Sequence, residues 1–258
     1  MRYNPSDAMI ERPSYDQGEQ AMLEQRAPKA VAFAKQILDT ARPFLPQRPL
    51  RVLDVGCGYG HTALELARHC ASVVGIEPFE SLAGHALQLQ RSEQLANLEF
   101  RHQSIYDLPD RDRFDLVVLD NVFEHLPDQA RALEILSGAL RDGGVMYLLM
   151  PNKLWPIEVH YHLPFLSYLP VPLANRYLKL TGRGEDYTDA SYAPTYFRLR
   201  KLLGARSELS YQFVLPADLS LSASGAALHY RMGVAAIKRV PWLWAVSKAF
   251  LVIAVKHG

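Results

Sequence analysis

Val52-Leu53-Asp54-Val55-Gly56-Cys57-Gly58-Tyr59-Gly60 is the stretch that decides the fold, and His61-Thr62-Ala63-Leu64-Glu65-Leu66-Ala67-Arg68 follows it directly. The first four residues are mostly apolar, as in a buried strand, whereas the apolar residues after Gly60 recur at helical spacing. The glycines therefore fall in a turn from a strand to a helix. Such a turn lets backbone N–H groups approach a ligand beside the positive end of a helix dipole. The GxGxG spacing differs from the GxGxxG of dinucleotide-binding proteins.

Further segments downstream continue the alternation of strands and helices. The predicted strands are Ser72–Ile76, Leu98–His102, Phe114–Asn121 and Asp142–Asn152, and a helix is predicted from about Glu80 to Leu95. The first of these strands ends at Glu77. In nucleotide-binding folds of this type, an acidic residue at the tip of the second strand accepts hydrogen bonds from the ribose hydroxyls. Glu77 is therefore the candidate that binds a ribose.

Taken together, residues 50–152 resemble class I S-adenosylmethionine-dependent methyltransferases that act on small molecules. The resemblance implies an α/β fold, with a doubly wound, seven-stranded, mostly parallel, Rossmann-like sheet whose last strand inserts antiparallel. It also implies S-adenosyl-L-methionine as the cofactor. The cofactor-binding residues carried over are Asp54, Gly56, Gly58, Gly60, Glu77, Pro78, Phe79, Ser104, Ile105, Asp120 and Asn121.

Several of these cofactor contacts have structural alternatives. Asp54 either helps to hold the methionine ammonium group or ties down the glycine turn through backbone bonds. Pro78 or Phe79 either packs on the adenine ring or starts a helix. Many members of the resembled family carry an aspartate where Ser104 stands, so the backbone N–H of Ile105 is the expected adenine contact here.

The turn after the fourth strand supplies a candidate catalytic residue. In the resembled enzymes this turn passes beside the methyl group, and the Glu124-His125 pair is frequent in those that act on small molecules. An oxygen or carbon acceptor has to lose a proton near neutral pH, which suits a histidine. His125 is therefore the candidate general base, with a packed or capping histidine as the alternative. Glu124 is expected to brace the turn.

Residues 151–195 are rich in proline and aromatic residues near their start, and they predict an irregular cap over the cofactor site. Glu158, His160 and His162 alternate there, so an extended chain would point all three side chains the same way. They permit a divalent-metal site, a polar wall that binds or deprotonates the acceptor, or ordinary loop hydrogen bonding; we assign no metal. His160 is the second catalytic candidate. The substrate-binding candidates are Trp155, Glu158, Tyr161 and His162.

The apolar cap residues indicate what kind of acceptor to expect. They are Trp155, Phe165, Leu166, Tyr168 and Leu169. They favour a hydrophobic or lipid-linked acceptor, or contact between the cap and a membrane surface. A cap with a small core of its own is the alternative.

Composition limits the partners and the compartment. The 258 residues carry a formal net charge of +1, which argues against nucleic acid as a partner. Two cysteines make no disulfide framework, and the polar N-terminus lacks the apolar core of a signal peptide, so we expect a cytoplasmic protein. The oligomeric state stays open.

We predict a single methyltransferase domain over residues 1–258. It comprises an N-terminal arm and helix (1–45), the cofactor-binding core (50–150), the acceptor cap (151–195) and a C-terminal helix with the last strands (196–258). The predicted reaction moves a methyl group to a small molecule, at a hydroxyl oxygen. Methylation at carbon or nitrogen, and a non-catalytic scaffold that retains the fold, are the alternatives.

Overall fold

The computed structural model describes residues 27–219 and 228–258. Seven strands in this part of the chain form one sheet: β1 Arg51–Val55, β2 Ser72–Glu77, β3 Leu98–His102, β4 Phe114–Asp120, β5 Leu140–Pro151, β6 Leu209–Phe213 and β7 Ala249–Lys256. The α-helices among the described residues are α1 Ala30–Ala41, α2 His61–Ala67, α3 Glu80–Glu93, α4 Gln129–Ala139, α5 Val171–Thr181, α6 Tyr196–Gly204 and α7 Leu228–Arg239.

The sheet has the strand order β3-β2-β1-β4-β5-β7-β6. Strands β1 to β5 pair in parallel, and β7 runs antiparallel between β5 and β6. The predicted doubly wound, mostly parallel, seven-stranded sheet is therefore confirmed, including the antiparallel last strand. The strand order reverses between β1 and β4, which is where open α/β sheets form a ligand crevice at the carboxyl ends of their strands.

Helices cover both faces of the sheet. Val52 and Leu116 pack with α1, α2 and α3 on one face, whereas Leu53 and Val117 pack with α4, α6 and α7 on the other. Neighbouring strand residues point to opposite faces, so a strand covered on both sides has to be apolar at nearly every position. This explains why residues 116–119 of the central strand β4 are a continuous hydrophobic run. Removing a large side chain from such a core typically costs about 2–5 kcal/mol.

Some element boundaries differ from those predicted. The helix expected within residues 1–45 is described only from residue 27, where a short 3-10 turn precedes α1. The predicted N-terminal arm lies outside the described residues. Strand β5 begins at Leu140 rather than Asp142, and its pairing with β4 is irregular between Leu140 and Val145. Helix α7 was not predicted.

The cap is more regular than its sequence indicates. Helix α5 lies within it, begun by Pro172 in its first turn and ended by Gly182 at φ +64°. The cap also has a small core of its own, which consists of Tyr161, Leu163, Leu166, Ala174, Leu178, Tyr187 and Ala190. The prediction of an irregular cap was therefore wrong at Val171–Thr181, because tertiary packing stabilises a helix there.

Across the described ranges, no helix combines the length and the apolar character that crossing a bilayer requires.

Candidate active site

The glycine loop lies at the carboxyl end of β1 and is tied to β2. The backbone N–H groups of Gly56 and Cys57 both donate to the carbonyl of Ile76, at 2.8 and 3.1 Å. Gly56 and Gly58 have φ angles of +66° and +57°, a region that glycine adopts at no steric cost. Gly60 ends the loop as the residue before α2, and a Cβ there would lie 2.6 Å from the Phe100 ring. The absence of a side chain at Gly60 thus allows the loop to pack against Phe100 of β3.

Open space lies on one side of this loop. A Cβ built on Gly58 would have no atom within 4 Å, whereas a Cβ on Gly56 would lie 2.6 Å from Val122. Gly58 therefore borders the crevice, and Gly56 is pressed against the turn after β4. This is the arrangement expected when the loop cradles a ligand with its backbone.

Glu77 is the acidic residue at the tip of β2, and it is buried. Its carboxylate accepts hydrogen bonds from the backbone N–H of Gly58 at 2.9 Å and of Phe79 at 3.1 Å. Burial raises the pKa of Glu77 to about 7, and the two N–H donors act in the opposite direction. The residue predicted to bind the ribose thus also braces the glycine loop.

The carboxyl group of Asp54 lies near those of Asp120 and Glu77. It is buried, and burial raises its pKa to about 8, with further increases from the charges of Asp120 and Glu77. Like charges at one site disfavour ionisation unless a cation neutralises them. The crevice is therefore suited to a ligand that carries positive charge.

The side predicted to hold adenine is formed by the ends of β2 and β3. Ser104 begins a 3-10 turn, where its hydroxyl oxygen accepts a hydrogen bond from the Tyr106 N–H at 3.3 Å. Ile105 is buried, Phe79 is half-buried and Pro78 is exposed. Because the Ser104 hydroxyl caps the turn, the backbone of Ile105 stays the predicted adenine contact.

The predicted residues at the end of β4 adopt a tight conformation. Asn121 has a φ of +56°, and its side-chain amide donates to the Asp120 carboxylate at 2.7 Å. The Asn121 backbone N–H donates to the carbonyl of Leu149 at 2.9 Å. These bonds fix the direction in which the chain leaves β4 toward Glu124 and His125.

The two catalytic candidates lie against each other. His125, after β4, and His160, in the cap, have ring centroids 5.1 Å apart in an edge-to-face arrangement. Nδ1 of His125 lies 2.6 Å from the carbonyl oxygen of Asp189, and Nδ1 of His160 lies 2.7 Å from a carboxylate oxygen of Glu158. A hydrogen-bond-accepting oxygen beside Nδ1 keeps the proton on Nδ1. Each neutral ring therefore has its lone pair on Nε2.

The structure separates the other cap residues predicted to form one polar wall. The chain turns between Ile157 and Pro164, which form an isolated bridge, so Glu158, His160 and His162 do not alternate along a strand. Glu158 is buried and holds His160, whereas His162 is exposed at a φ of +55°. The extended conformation, in which all three side chains would point the same way, does not occur, because the segment is a turn.

Two further cap candidates are placed differently from each other. The Tyr161 hydroxyl donates to the carbonyl of Asp186 at 2.9 Å and its ring packs on Tyr187, which favours a structural role within the cap core. Trp155 is half-buried and lines a small cleft together with Glu158. A contact between Trp155 and the acceptor stays a prediction.

Sequence reasoning missed two contacts that shape the site. One is the carbonyl of Asp189, which fixes the ring of His125 and, as a backbone group, leaves no sequence signal. The other is Glu124, expected only to brace its turn. Its side chain is fully buried, and a carboxylate oxygen lies 3.9 Å from Nε2 of His125.

Sheet topology, glycine loop and acidic crevice define a class I S-adenosylmethionine-dependent methyltransferase. The chain belongs to the methyltransferase domain family, whose model matches residues 22–198. Among curated proteins it is similar to a ubiquinone biosynthesis O-methyltransferase of Bradyrhizobium diazoefficiens, with 32% identity over 106 residues. That match covers 41% of this chain and 42% of the relative's length, so less than half of either protein is compared.

Solved structures share the fold at low sequence identity. A SAM-dependent methyltransferase from Aquifex aeolicus has a TM-score of 0.57 and 13% identity, and covers 99% of this chain and 100% of that one. The plantazolicin methyltransferase BpumL, in complex with a triazolic desmethylPZN analog and SAH, has a TM-score of 0.60 and 14% identity, with coverages of 98% and 97%. At these identities the likeness concerns the fold.

Proposed function

We propose that this chain transfers a methyl group from S-adenosylmethionine to a hydroxyl oxygen of a small hydrophobic or lipid-linked molecule. The observation that favours oxygen over nitrogen is the pair His125 and His160, held at the carboxyl end of the sheet with each Nδ1 beside a hydrogen-bond acceptor. A hydroxyl acceptor needs such a base, whereas an amine acceptor needs none.

The crevice fits the cofactor by charge and by shape. A sulfonium and an ammonium group would offset the carboxylates of Asp54, Asp120 and Glu77. Burial, and then the charges of the other two carboxylates, raise the pKa of Asp54. The open space at Gly58 leaves the loop backbone accessible to the cofactor. The carboxylate of Glu77 would accept from the ribose hydroxyls, as in other nucleotide-binding folds.

His125 takes the proton in the proposed reaction. S-adenosylmethionine supplies an activated methyl group: the new carbon–oxygen bond forms as the carbon–sulfur bond breaks, and its electron pair stays on sulfur. The hydroxyl proton passes to Nε2 of His125, whose Nδ1 proton is held by the Asp189 carbonyl. Alignment of the reactants supplies most of the rate, about 7–11 kcal/mol, and the histidine removes the remaining need for a strong external base.

The curated relative named above supports transfer to oxygen, although only part of each chain is compared. Transfer to carbon would use the same base, so a carbon acceptor is the second candidate within this chemistry. The buried carboxylates of Asp54 and Glu77, which are predicted to bind the cofactor, argue against a non-catalytic scaffold. A scaffold has no need for ionisable groups whose burial is costly.

The test is methyl transfer from labelled S-adenosylmethionine to a panel of hydrophobic hydroxylated acceptors, with mass spectrometry to locate the label. We expect the label on oxygen. His125→Asn should leave cofactor binding unchanged and lower kcat by about 10²–10⁴-fold. His69→Asn, at an exposed histidine near the end of α2, is the control and should leave kcat unchanged. Wild-type turnover in His125→Asn would remove this residue from the mechanism.

We further propose that this protein is cytoplasmic and that it binds an anionic membrane through α5, where it would meet a lipid-linked acceptor. Leu173 and Leu180 are 54% and 76% exposed, and they lie seven residues apart on one side of the helix. Arg176 and Lys179 are exposed on the same helix, which contains no acidic residue. A basic amphipathic helix is typical of surfaces that bind anionic lipids.

A further inference from the structure

Three ligand-type side chains converge between the turn after β4 and the cap. One ligand atom each of Glu124, His125 and His160 lies within 4.8 Å of the others. Glu124 is fully buried, and both histidine side chains are 14% exposed. A buried carboxylate is stable as an anion only where positive charge or hydrogen-bond donors compensate it.

The histidines have the outer contacts that metal-binding histidines usually have. In metal sites, the ring nitrogen that does not bind the ion commonly donates to a backbone carbonyl or a carboxylate. Here Nδ1 of His125 lies 2.6 Å from the Asp189 carbonyl, and Nδ1 of His160 lies 2.7 Å from the Glu158 carboxylate. His125 thus has the backbone-carbonyl arrangement, and His160 has the carboxylate arrangement.

Glu158 is itself fixed in place. Its second carboxylate oxygen accepts hydrogen bonds from the backbone N–H of His160 at 2.8 Å and of Tyr161 at 2.7 Å. A carboxylate held by two N–H donors cannot easily turn away, so it sets the orientation of the His160 ring. This support from a buried residue distinguishes the cluster from histidines that meet by chance at a surface.

We propose that Glu124, His125 and His160 bind one first-row divalent cation, such as Zn²⁺ or Co²⁺. Two imidazoles and one carboxylate form a protein ligand set typical of catalytic zinc, which leaves further positions for water or substrate. Mg²⁺ and Ca²⁺ prefer oxygen ligands throughout and fit this set less well. The site differs from the trio Glu158, His160 and His162 considered from the sequence, because His162 is exposed and Glu158 supports the ligand His160.

One consequence rests on the proposed function. A hydroxyl oxygen bound to the cation would have a lowered pKa, and the cation would then replace His125 as the cause of its deprotonation, with the proton leaving to solvent. The cation site itself stands without any assumption about the acceptor.

The test is titration of the metal-free full chain with Co²⁺, followed by the visible absorption of the protein-bound ion, without cofactor or acceptor. We expect one Co²⁺ per chain, and competition by Zn²⁺. His160→Asn and Glu124→Gln should abolish the absorption bands, and Glu158→Gln should weaken binding by about 10–100-fold. The control His162→Asn places a residue that tolerates positive φ at a neighbouring exposed histidine, and should bind like wild type.

Wild-type Co²⁺ affinity in His160→Asn would overturn the proposal, and so would an equal loss in His162→Asn. His160 is partly exposed, so its variant decides the question even if Glu124→Gln fails to fold. Methyl transfer measured with a chelator present reports separately on the proposed function. Activity without Co²⁺ binding would leave His125 as the base, and Co²⁺ binding without activity would leave the cation site standing alone.

Discussion

At the scale of single residues, the crevice makes ionisation of the Asp54 and Glu77 carboxyl groups unfavourable. Burial raises their pKa values from 3.8 and 4.5 to about 8 and about 7. At a pH between a group's unfolded and folded pKa values, that carboxyl group is ionised in the unfolded chain and protonated in the folded chain. Their contribution to stability is therefore fully present below about pH 4 and is lost as pH rises toward about 8. A bound cation would reverse part of this loss.

The first prediction follows from this linkage. S-adenosylmethionine should bind more tightly as pH rises from about 6 to 8, by up to about tenfold per pH unit for each proton released. S-adenosylhomocysteine lacks the sulfonium charge and should show a weaker dependence. Calorimetry in two buffers with different ionisation enthalpies measures the protons released. Affinity that is flat or falls over this range would contradict the role assigned to the buried carboxyls.

The second prediction concerns Glu77 alone. Glu77→Gln removes the charge that would accept from the ribose, and hydrogen bonds to charged groups contribute about 1.5–3 kcal/mol. The Kd for S-adenosylmethionine should therefore rise by about 10–100-fold. Glu80→Gln changes an exposed carboxylate three residues away and is the control. Equal affinities of the two variants, measured by calorimetry, would show that Glu77 only braces the loop.

At the scale of elements, the glycine loop meets two different surroundings within three residues. Gly56 is pressed against Val122, and Gly58 faces open space, although both have positive φ. The loop therefore combines packing against the turn after β4 with access to the crevice. A substitution at each position separates these two roles.

The third prediction compares Gly56→Ala with Gly58→Ala. Both variants carry the strain of a left-handed alanine, about 1–2 kcal/mol. Gly56→Ala also forces a methyl group against Val122 and should lose about 1–3 kcal/mol more, with a correspondingly lower Tm. Gly58→Ala should fold well but bind S-adenosylmethionine weakly. Thermal melts and calorimetry distinguish these outcomes, and strong binding by Gly58→Ala would show that the cofactor lies elsewhere.

The cap shows how an element depends on contacts beyond its own sequence. Asn175 in α5 donates to the Asp186 carboxylate at 2.8 Å, and that same carboxylate oxygen accepts from the Thr188 hydroxyl at 2.7 Å. These bonds join α5 to the segment that carries the Asp189 carbonyl. The cap core thus helps to fix the ring of His125, a residue outside the cap.

At the scale of the whole molecule, the sheet topology brings the carboxyl ends of β1, β2 and β4 to one crevice, and the cap after β5 lies beside it. Helix α5 of that cap presents its exposed leucines outward. A membrane-bound chain would therefore hold its acceptor side close to the lipid surface.

The fourth prediction tests this arrangement by vesicle flotation. The chain should float with vesicles that contain phosphatidylglycerol, and less with phosphatidylcholine alone or at high salt, because basic residues contribute to binding. Leu173→Ser with Leu180→Ser should reduce flotation strongly, since burying a leucine contributes about 1.5–3 kcal/mol. Val31→Ser alters an exposed apolar residue on α1 and should float like wild type. Equal flotation of all variants would argue against α5 as the contact.

The sequence by itself determined the parts that local chemistry encodes. The turn from Val55 to Gly60, the acidic end of β2 at Glu77 and the strands β1 to β4 follow from hydrophobic periodicity and from glycine at positive φ, both readable within a few residues. The order of these motifs carried the family resemblance, and through it the antiparallel last strand. Helices α5 and α7 escaped prediction because packing, rather than local propensity, stabilises them.

Only the tertiary structure decided how the candidate site is assembled. His125 and His160 were each chosen from the sequence, but their ring contact, the Asp189 carbonyl and the convergence of Glu124 depend on where the cap folds back. Glu158 and His162 looked equivalent by alternation, and one turn buried the first and exposed the second. Contacts between distant segments follow from the path of the chain through an irregular region, and residue spacing there carries no geometry. The part of the site predicted to bind the methyl donor is thus encoded in local sequence. The part predicted to bind the acceptor depends on the tertiary fold.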